Sequence, residues 1–200
     1  LDDVMGPLDL PADRPIVRFN QIAASALKEP GVHAVVGVEG SGAAWIAKAL
    51  LLQGARHVVF VAADGDGARR ARADLEGLSE AWPLDAEWCQ NTLPRGKPLL
   101  YQTVEANPYA NLHPDRRLTL ARAATLFELA DDAPWSFCVI PAFALARRVV
   151  PKDILRAGGM HLRREDEIDL EALSNQLTEA GYLRVPVVED PGTFAVRGGV

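Results

Sequence analysis

Residues 32–64 read VHAVVGVEGSGAAWIAKALLLQGARHVVFVAAD, and this stretch decides the fold. Two short apolar runs, at 32–38 and 57–63, are typical of strands that are buried on both faces of a sheet. Apolar residues at helical spacing between the runs predict a helix that ends at Gly54. A strand, a helix and a second strand with such short connections predict parallel strands, and therefore an α/β fold.

The pattern continues on both sides of this stretch. Residues 1–15 hold three prolines among acidic residues and predict an extended lead-in. The apolar spacing from Ile16 to Leu27 predicts a helix that is ended by Pro30 and Gly31. Further along, the predicted elements are a helix capped by Asp64, a strand within 98–105, a helix that opens near Pro114, a third buried strand at 135–141 and a short helix at 142–150. Residues 16–158 are therefore predicted to form one domain, a parallel sheet with flanking helices.

A second, smaller α+β domain is predicted for residues 159–200. The glycine pair at 158–159 lies between the patterns of the two parts and marks the boundary. The predicted elements beyond it are a strand at 160–164, a helix that is stopped by Gly181, and two strands at 183–188 and 193–200. Alternation along the last strand turns Phe194 and Val196 toward the core and Arg197 outward.

Composition and charge exclude several classes of function. The chain has 200 residues, 48% of them apolar, which is enough for one core and a small second domain. Its net charge of −6 argues against a nucleic-acid surface, and it has no apolar run long enough to span a membrane. Cys89 and Cys138 lack metal-ligand spacing, so we expect reduced thiols in a cytoplasmic protein. Because the chain starts without methionine and stops within a strand-like run, it is expected to be part of a longer protein.

The segment between the first two strands carries the most specific chemical pattern. Gly37 and Gly42, with Gly40 between them, have the spacing of a phosphate-binding P-loop. The next two positions, which need lysine and then serine or threonine, hold Ala43 and Ala44. Without the lysine charge and the hydroxyl that holds Mg²⁺, the loop should not hydrolyse ATP, and no cofactor is expected. Weak anion binding by the loop amides is one alternative, and a plain strand-to-helix turn is another.

No other residues form a catalytic or metal site. The four histidines are scattered without the spacing of metal ligands. Ser41 lacks the elbow context and the histidine partner of a hydrolase nucleophile. The acidic cluster at 165–169 is interpreted as the solvated first turn of a helix. The sequence thus favours a binding surface over a catalytic centre.

Three stretches resemble a known family. The loop VVGVEGSGAAW (35–45) is similar to the ATP-binding loop of the excision-repair protein UvrB, without its lysine and threonine. The segments NPYANLHPDRRLTLARAATLFELADD (107–132) and FCVIPAFALARRVVPKDIL (137–155) resemble the N-terminal module of bacterial transcription-repair coupling factors (Mfd). The run GYLRVPVVEDPGTFAVRGGV (181–200) resembles a G-Y-x-R…G-x-F-x-x-R-G pattern that is found in both UvrB and Mfd.

The resemblance implies the UvrB-like start of a coupling factor. Its first domain would be a degenerate P-loop domain of the helicase type, and its second domain would dock onto UvrA. Arg184 and Arg197 are the positions that carry over as UvrA contacts. RNA polymerase and DNA would be contacted only through later domains, which also supply the ATP-dependent translocase. The tyrosine-rich DNA hairpin of UvrB has no counterpart, since only Tyr101 and Tyr109 lie in that region.

The expected function is therefore non-catalytic. The module would recruit UvrA to stalled RNA polymerase in transcription-coupled nucleotide excision repair. One alternative is a DNA-binding or motor fragment that acts like UvrB itself. The other is an autoinhibitory scaffold that packs on the rest of its own chain.

Overall fold

The computed structural model describes residues 15–80, 98–102, 115–131 and 135–197. The helices in these ranges are α1 (Pro15–Lys28), α2 (Gly42–Leu52), α3 (Gly65–Glu80), α4 (Arg116–Ala130), α5 (Lys152–Gly158) and α6 (Leu170–Glu179), with a 3₁₀ turn at Ala142–Ala146. The strands are β1 (Val58–Ala62), β2 (Leu99–Leu100), β3 (Phe137–Pro141), β4 (Leu183–Arg184) and β5 (Thr193–Phe194). This mixture of helices and parallel strands confirms the predicted α/β class.

The described residues form two compact units. The first contains residues 15–80, 98–100 and 135–142, and the second contains residues 101–102, 115–131 and 143–197. The domain boundary at 158–159 stays a prediction. Several predicted features lie outside the described residues: positions 1–14 of the lead-in, Cys89, residues 103–105 of the strand predicted at 98–105, Tyr109, His113, Pro114 and residues 198–200 of the last predicted strand. In the described ranges, no helix is long and apolar enough to cross a membrane.

The first unit is built on a three-stranded sheet with the order β1–β3–β2. Both outer strands run parallel to β3: Val58 pairs with Phe137 on one side, and Leu99 pairs with Cys138 on the other. Every residue of β3 except Ile140 is buried. A parallel strand in the centre of a sheet is covered on both faces, which explains why its sequence is a continuous apolar run.

Helices α2 and α3 cover one face of this sheet. Because side chains alternate along a strand, Val58 of β1 and Val139 of β3 point to the same face. They pack against small and aliphatic residues of the two helices: Ala44, Ala47, Leu51, Ala68, Ala71 and Leu75. The alanines let the helices approach closely, and the first turn of α2 comes to lie beside the carboxyl end of β1.

Aspartate side chains fix where helices begin. At the start of α3, Asp64 Oδ1 accepts a hydrogen bond from the Gly67 amide at 2.6 Å, which confirms the predicted cap. At the start of α6, Asp169 accepts from two amides of the first turn at 2.9 and 3.2 Å. Because α6 begins at Leu170, residues 165–167 precede the helix, and the prediction that they form its first turn is wrong.

The predicted strand at 32–38 is not formed. Val32 and Val36 in this segment are almost fully exposed. His33 Nε2 donates a hydrogen bond to the Glu29 carbonyl at 2.7 Å, which holds the segment beside the end of α1. An apolar run forms a strand only where the backbone of another strand pairs with it, and its own sequence does not reveal that partner.

Two further predictions in the second unit are corrected. Residues 160–164 form no strand, because the Arg163 amide donates to Asp166 at 2.7 Å and Glu165 takes a φ of 77°, which together make a turn. The helix predicted at 142–150 is a 3₁₀ turn that ends at Ala146. Helix α5, which was not predicted, begins directly after Pro151, a residue whose fixed φ suits the start of a helix.

Helix α4 connects the parts of the second unit. At its C-terminal end, Arg156 Nε donates to the Ala130 carbonyl at 2.7 Å, and His161 Nε2 donates to Asp131 at 2.7 Å. Strands β4 and β5 form a separate parallel pair in which Leu183 is opposite Thr193. Both strands lie within residues 181–200, the run that resembles the pattern found in UvrB and Mfd.

Candidate functional site

The glycine loop leads directly into α2. Gly37 and Gly40 have φ values of 74° and 56°, and the Gly42 amide donates to the Glu39 carbonyl at 3.1 Å. Ser41 occupies the N-cap position of α2 without a side-chain cap hydrogen bond. The predicted loop and helix are therefore confirmed, whereas the strand before them is absent.

Packing explains why position 42 is a glycine. Gly42 is buried, and a Cβ at this position would lie 2.7 Å from Val38 Cγ1 and 3.6 Å from Phe19 Cζ. A distance of 2.7 Å is well inside van der Waals contact, so any side chain would displace Val38. Gly42 thus has a structural role that needs no phosphate.

A groove of about 610 Å³ lies where β1 ends and α2 begins. The residues that line it include Ser41, Ala43, Phe60, Ala62, Arg70 and Asp74. In α/β domains, ligands commonly bind at the carboxyl ends of parallel strands, next to the N-terminus of a helix. The groove therefore has the place of a ligand site in this class of fold.

The lining of the groove lacks the groups of a working nucleotide site. Ala43 is exposed and Ala44 is buried in the core, and neither has a charge or a hydroxyl. Lys48, one turn further along α2, is buried, and its Nζ donates to the Leu78 carbonyl of α3. The absence of ATP binding stays a prediction, but no lysine side chain from α2 replaces the one that the loop lacks.

Arg70 and Asp74 also line the groove, although no motif in the sequence points to them. They are four positions apart on α3 and so lie on one face of that helix. Their spacing after β1 was visible in the sequence, but only the fold places them opposite the glycine loop. One positive and one negative charge in the lining give the groove no net attraction for a polyphosphate.

The other candidates have structural partners. His57 Nδ1 donates to the Trp135 carbonyl at 2.7 Å, and the two rings are stacked with 4.1 Å between their centres. Cys138 is buried in β3, and this burial raises the pKa of its thiol to about 11. Within the part of the chain that the structure describes, no group of three or more histidine, cysteine or acidic residues is placed to hold a metal ion.

The two arginines implied as UvrA contacts belong to the β4–β5 part of the second unit. Arg184 is exposed at the end of β4, where it is paired with Phe194 of β5. Arg197 is also exposed and follows β5. Phe194 is half-buried, but the prediction that Val196 faces the core is wrong, since Val196 is 41% exposed. Strand β5 ends at Phe194, so its alternation does not reach Val196.

The region that contains Arg184 and Arg197 is similar to a known protein family. A family model described as the UvrB interaction domain matches residues 160–200. The transcription-repair-coupling factor of Myxococcus xanthus is 30% identical over 141 residues, which is 70% of this chain and 11% of that protein. The factor of Escherichia coli K12 is 24% identical over 144 residues, which is 72% of this chain and 11% of that protein.

A third relative, the transcription-repair-coupling factor of Haemophilus influenzae, is 28% identical over 101 residues, or 50% of this chain and 9% of that protein. The chain thus spans about one tenth of the length of these relatives. These matches confirm that the chain resembles the N-terminal, UvrB-like module of transcription-repair coupling factors.

Proposed function

We propose that this chain is the UvrB-homology module of a coupling factor and that it recruits UvrA during transcription-coupled nucleotide excision repair. The observation that carries the proposal is the match of residues 160–200 to the UvrB interaction domain, because this region contains the exposed Arg184 and Arg197. Arginine is the charged residue most often found at the energetic centre of protein interfaces. The β4–β5 pair is therefore our candidate for the UvrA-binding surface.

In this proposal the module is not an enzyme. Ala43 and Ala44 supply neither phosphate neutralisation nor a ligand for Mg²⁺, so the module uses no nucleotide or metal cofactor. The first unit would be a helicase-type domain with a degenerate site, and the groove at the end of β1 supports this assignment. ATP-dependent translocation on DNA and contact with RNA polymerase would belong to other parts of the longer protein, in the cytoplasm.

Co-elution with UvrA tests the proposal. The chain and purified UvrA are mixed and separated on a sizing column, beside each protein alone and beside the Arg197→Ala variant. We expect the chain to shift to the UvrA peak, and we expect Arg197→Ala to elute at its own position. Absence of a shift for the wild-type chain at concentrations of tens of micromolar would refute UvrA recruitment by this module.

A further inference from the structure

The turn that precedes β5 is held against the first turn of α4. Arg116 Nη2 donates a hydrogen bond to the Gly192 carbonyl at 2.8 Å, and Arg117 Nη2 lies 3.4 Å from Asp190 Oδ1. The partners are 76 and 73 positions apart in the sequence. Both contacts are therefore tertiary, and they join α4 to the strand pair that carries Arg184.

The Gly192 carbonyl has two donors. Besides Arg116, the Leu183 amide donates to it at 3.0 Å. Leu183 opens β4 and directly precedes Arg184, and the next bond between the strands runs from the Val185 amide to the Phe194 carbonyl at 2.9 Å. The Gly192 carbonyl thus takes part both in the first hydrogen bond between β4 and β5 and in the hydrogen bond to Arg116 of α4.

No space separates this turn from the helix. Gly192 is buried and has a φ of 78°, and a Cβ there would lie 2.9 Å from both Arg116 Nε and Leu120 Cδ1. Glycine adopts this backbone conformation without the steric penalty that other residues pay. The contact between the turn and α4 is therefore direct, and the Arg116 side chain is part of it.

We propose that Arg116 is a positioning residue of the UvrA-binding surface. By binding the Gly192 carbonyl, it fixes the β4–β5 pair and with it the direction in which Arg184 and Arg197 are presented. The inference rests on the proposed function. A hydrogen bond with a charged donor is roughly twice as strong as a neutral one, and Arg116 makes this bond at the base of β4.

Arg117 provides a matched control. Its side chain and that of Asp190 are each 70% exposed, and their nitrogen and oxygen are 3.4 Å apart. Ion pairs of this kind contribute little to stability because water and salt screen them. Arg117→Ala therefore removes the same charge from the same turn of α4 without removing a bond to Gly192.

Three variants of the 200-residue chain test the inference: Arg116→Ala, Arg116→Lys and Arg117→Ala. The measurements are the Kd for purified UvrA, hydrogen exchange at the Leu183 and Val185 amides, and thermal melting. We expect Arg116→Ala to raise the Kd about tenfold, a loss of about 1.4 kcal/mol, and to speed exchange at both amides while it still melts cooperatively. Arg116→Lys should recover part of the lost affinity and part of the lost protection from exchange, because an ammonium group donates to the same carbonyl. Arg117→Ala should change neither the Kd nor the exchange rates of the two amides by more than about twofold.

The outcomes separate the possible roles of Arg116. Unchanged amide exchange in Arg116→Ala overturns the inference, and if the affinity falls without a change in exchange, Arg116 is a direct contact. An equal loss in Arg117→Ala also overturns it, because charge alone would then explain the effect. If the wild-type chain does not bind UvrA, the proposed function fails, while the exchange data still decide whether Arg116 fixes β4.

Discussion

Arg122 both hydrogen-bonds Tyr101 and lies over its ring. Arg122 Nε donates to the Tyr101 hydroxyl at 2.7 Å, and its guanidinium carbon is 5.2 Å from the centre of the ring. Tyr101 is only 4% exposed. A base can stack only on an aromatic face that is accessible, so this tyrosine is part of the structure of the second unit and not of a DNA surface.

We therefore expect duplex DNA to bind the chain weakly at physiological salt. The net charge of −6 opposes the approach of phosphates, and Tyr101 is not available for stacking. A mobility-shift titration should give a Kd no tighter than about 1 μM, the edge of the usual non-specific range. A tighter, salt-sensitive Kd would contradict the prediction and favour a fragment that binds DNA as UvrB does.

Mg-ATP should show no saturable binding in the micromolar range. The loop has no lysine at position 43 to neutralise the β- and γ-phosphates and no hydroxyl at position 44 to hold the metal ion. Isothermal titration calorimetry measures this directly, with Ala43→Lys as the comparison. Because Ala43 is exposed, the variant accommodates the lysine and should bind more strongly than the wild type. Stoichiometric, tight binding of Mg-ATP by the wild-type chain would show that Ala43 and Ala44 do not prevent nucleotide binding.

Arg197→Ala should weaken UvrA binding strongly and leave the fold intact. Truncation of an arginine that bonds an acidic group across an interface typically costs about 2–5 kcal/mol, or roughly 30-fold to several thousand-fold in Kd. Arg197 is exposed, so its loss should change the free energy of unfolding by no more than about 0.5 kcal/mol. Arg184→Ala should act in the same direction.

The control for this pair is Lys28→Ala, which removes an exposed cation from α1 in the first unit. Binding curves and melting curves are recorded for all variants. Wild-type affinity in Arg197→Ala would show that the family assignment of this residue is wrong. Loss of binding together with loss of cooperative melting would make Arg197 a structural residue.

Gly192→Ala should destabilise the chain. A residue other than glycine at a φ of 78° costs roughly 1–3 kcal/mol, and the new methyl group would also collide with Leu120. Gly158→Ala is a suitable control because Gly158 has open space around its Cβ position. Chemical denaturation should show a clear loss for the first variant only. Equal stability of the two variants would mean that the turn moves away from α4 at no cost.

Cys138 should react slowly with alkylating reagents in the folded chain. The thiol is 1% exposed, and burial raises its pKa from 9.0 to about 11, so the reactive thiolate is scarce at pH 8. In a Cys89→Ser background, which leaves Cys138 as the only thiol, iodoacetamide should label the native chain much more slowly than the denatured chain, because burial both shields the thiol and raises its pKa. Equal rates would mean that β3 opens readily.

The same group predicts a pH dependence of stability. The folded chain keeps the Cys138 proton to a higher pH than the unfolded chain does. As the pH rises, the thiol therefore ionises first in the unfolded state, and this ionisation stabilises the unfolded state. The stability that is present below pH 9 should therefore fall as the pH rises from about 9 to about 11. Cys138→Ala lacks the thiol, and its stability should fall less over that window.

Local periodicity was enough to predict helices α1, α2 and α3 and strands β1 and β3. Their apolar residues follow either helical spacing or the continuous run of a buried strand, and a capping residue such as Asp64 marks where a helix begins. The run at 32–38 is as apolar as the run at 57–63, yet only the second forms a strand. Residues 58–62 pair with β3, whereas His33 is bonded to the end of α1. An apolar pattern in the sequence reveals neither the strand partner nor this hydrogen bond.

The candidate site shows the same limit. The glycine loop and the two exposed arginines could be picked out from short motifs. The contact between Arg116 and Gly192 joins residues 76 positions apart. Gly192 belongs to the G-x-F-x-x-R-G part of the family pattern, but nothing in that pattern points to Arg116 as its partner. Likewise, nothing local connects Arg70 and Asp74 with the glycine loop, because the groove is formed only when α3 packs beside α2.

The packing of Gly42 against Val38 bears on how such chains evolve. Any side chain at position 42 collides with Val38, so selection for folding alone retains this glycine. Position 43 is exposed and has no such constraint, whereas Ala44 lies in the core, where packing favours a small residue. The glycine at position 42 should therefore be retained whether or not the loop binds a nucleotide, while the exposed position 43 is free to change. A search for nucleotide-binding proteins that weights the glycines above positions 43 and 44 will therefore also collect chains that lack the lysine after the glycines.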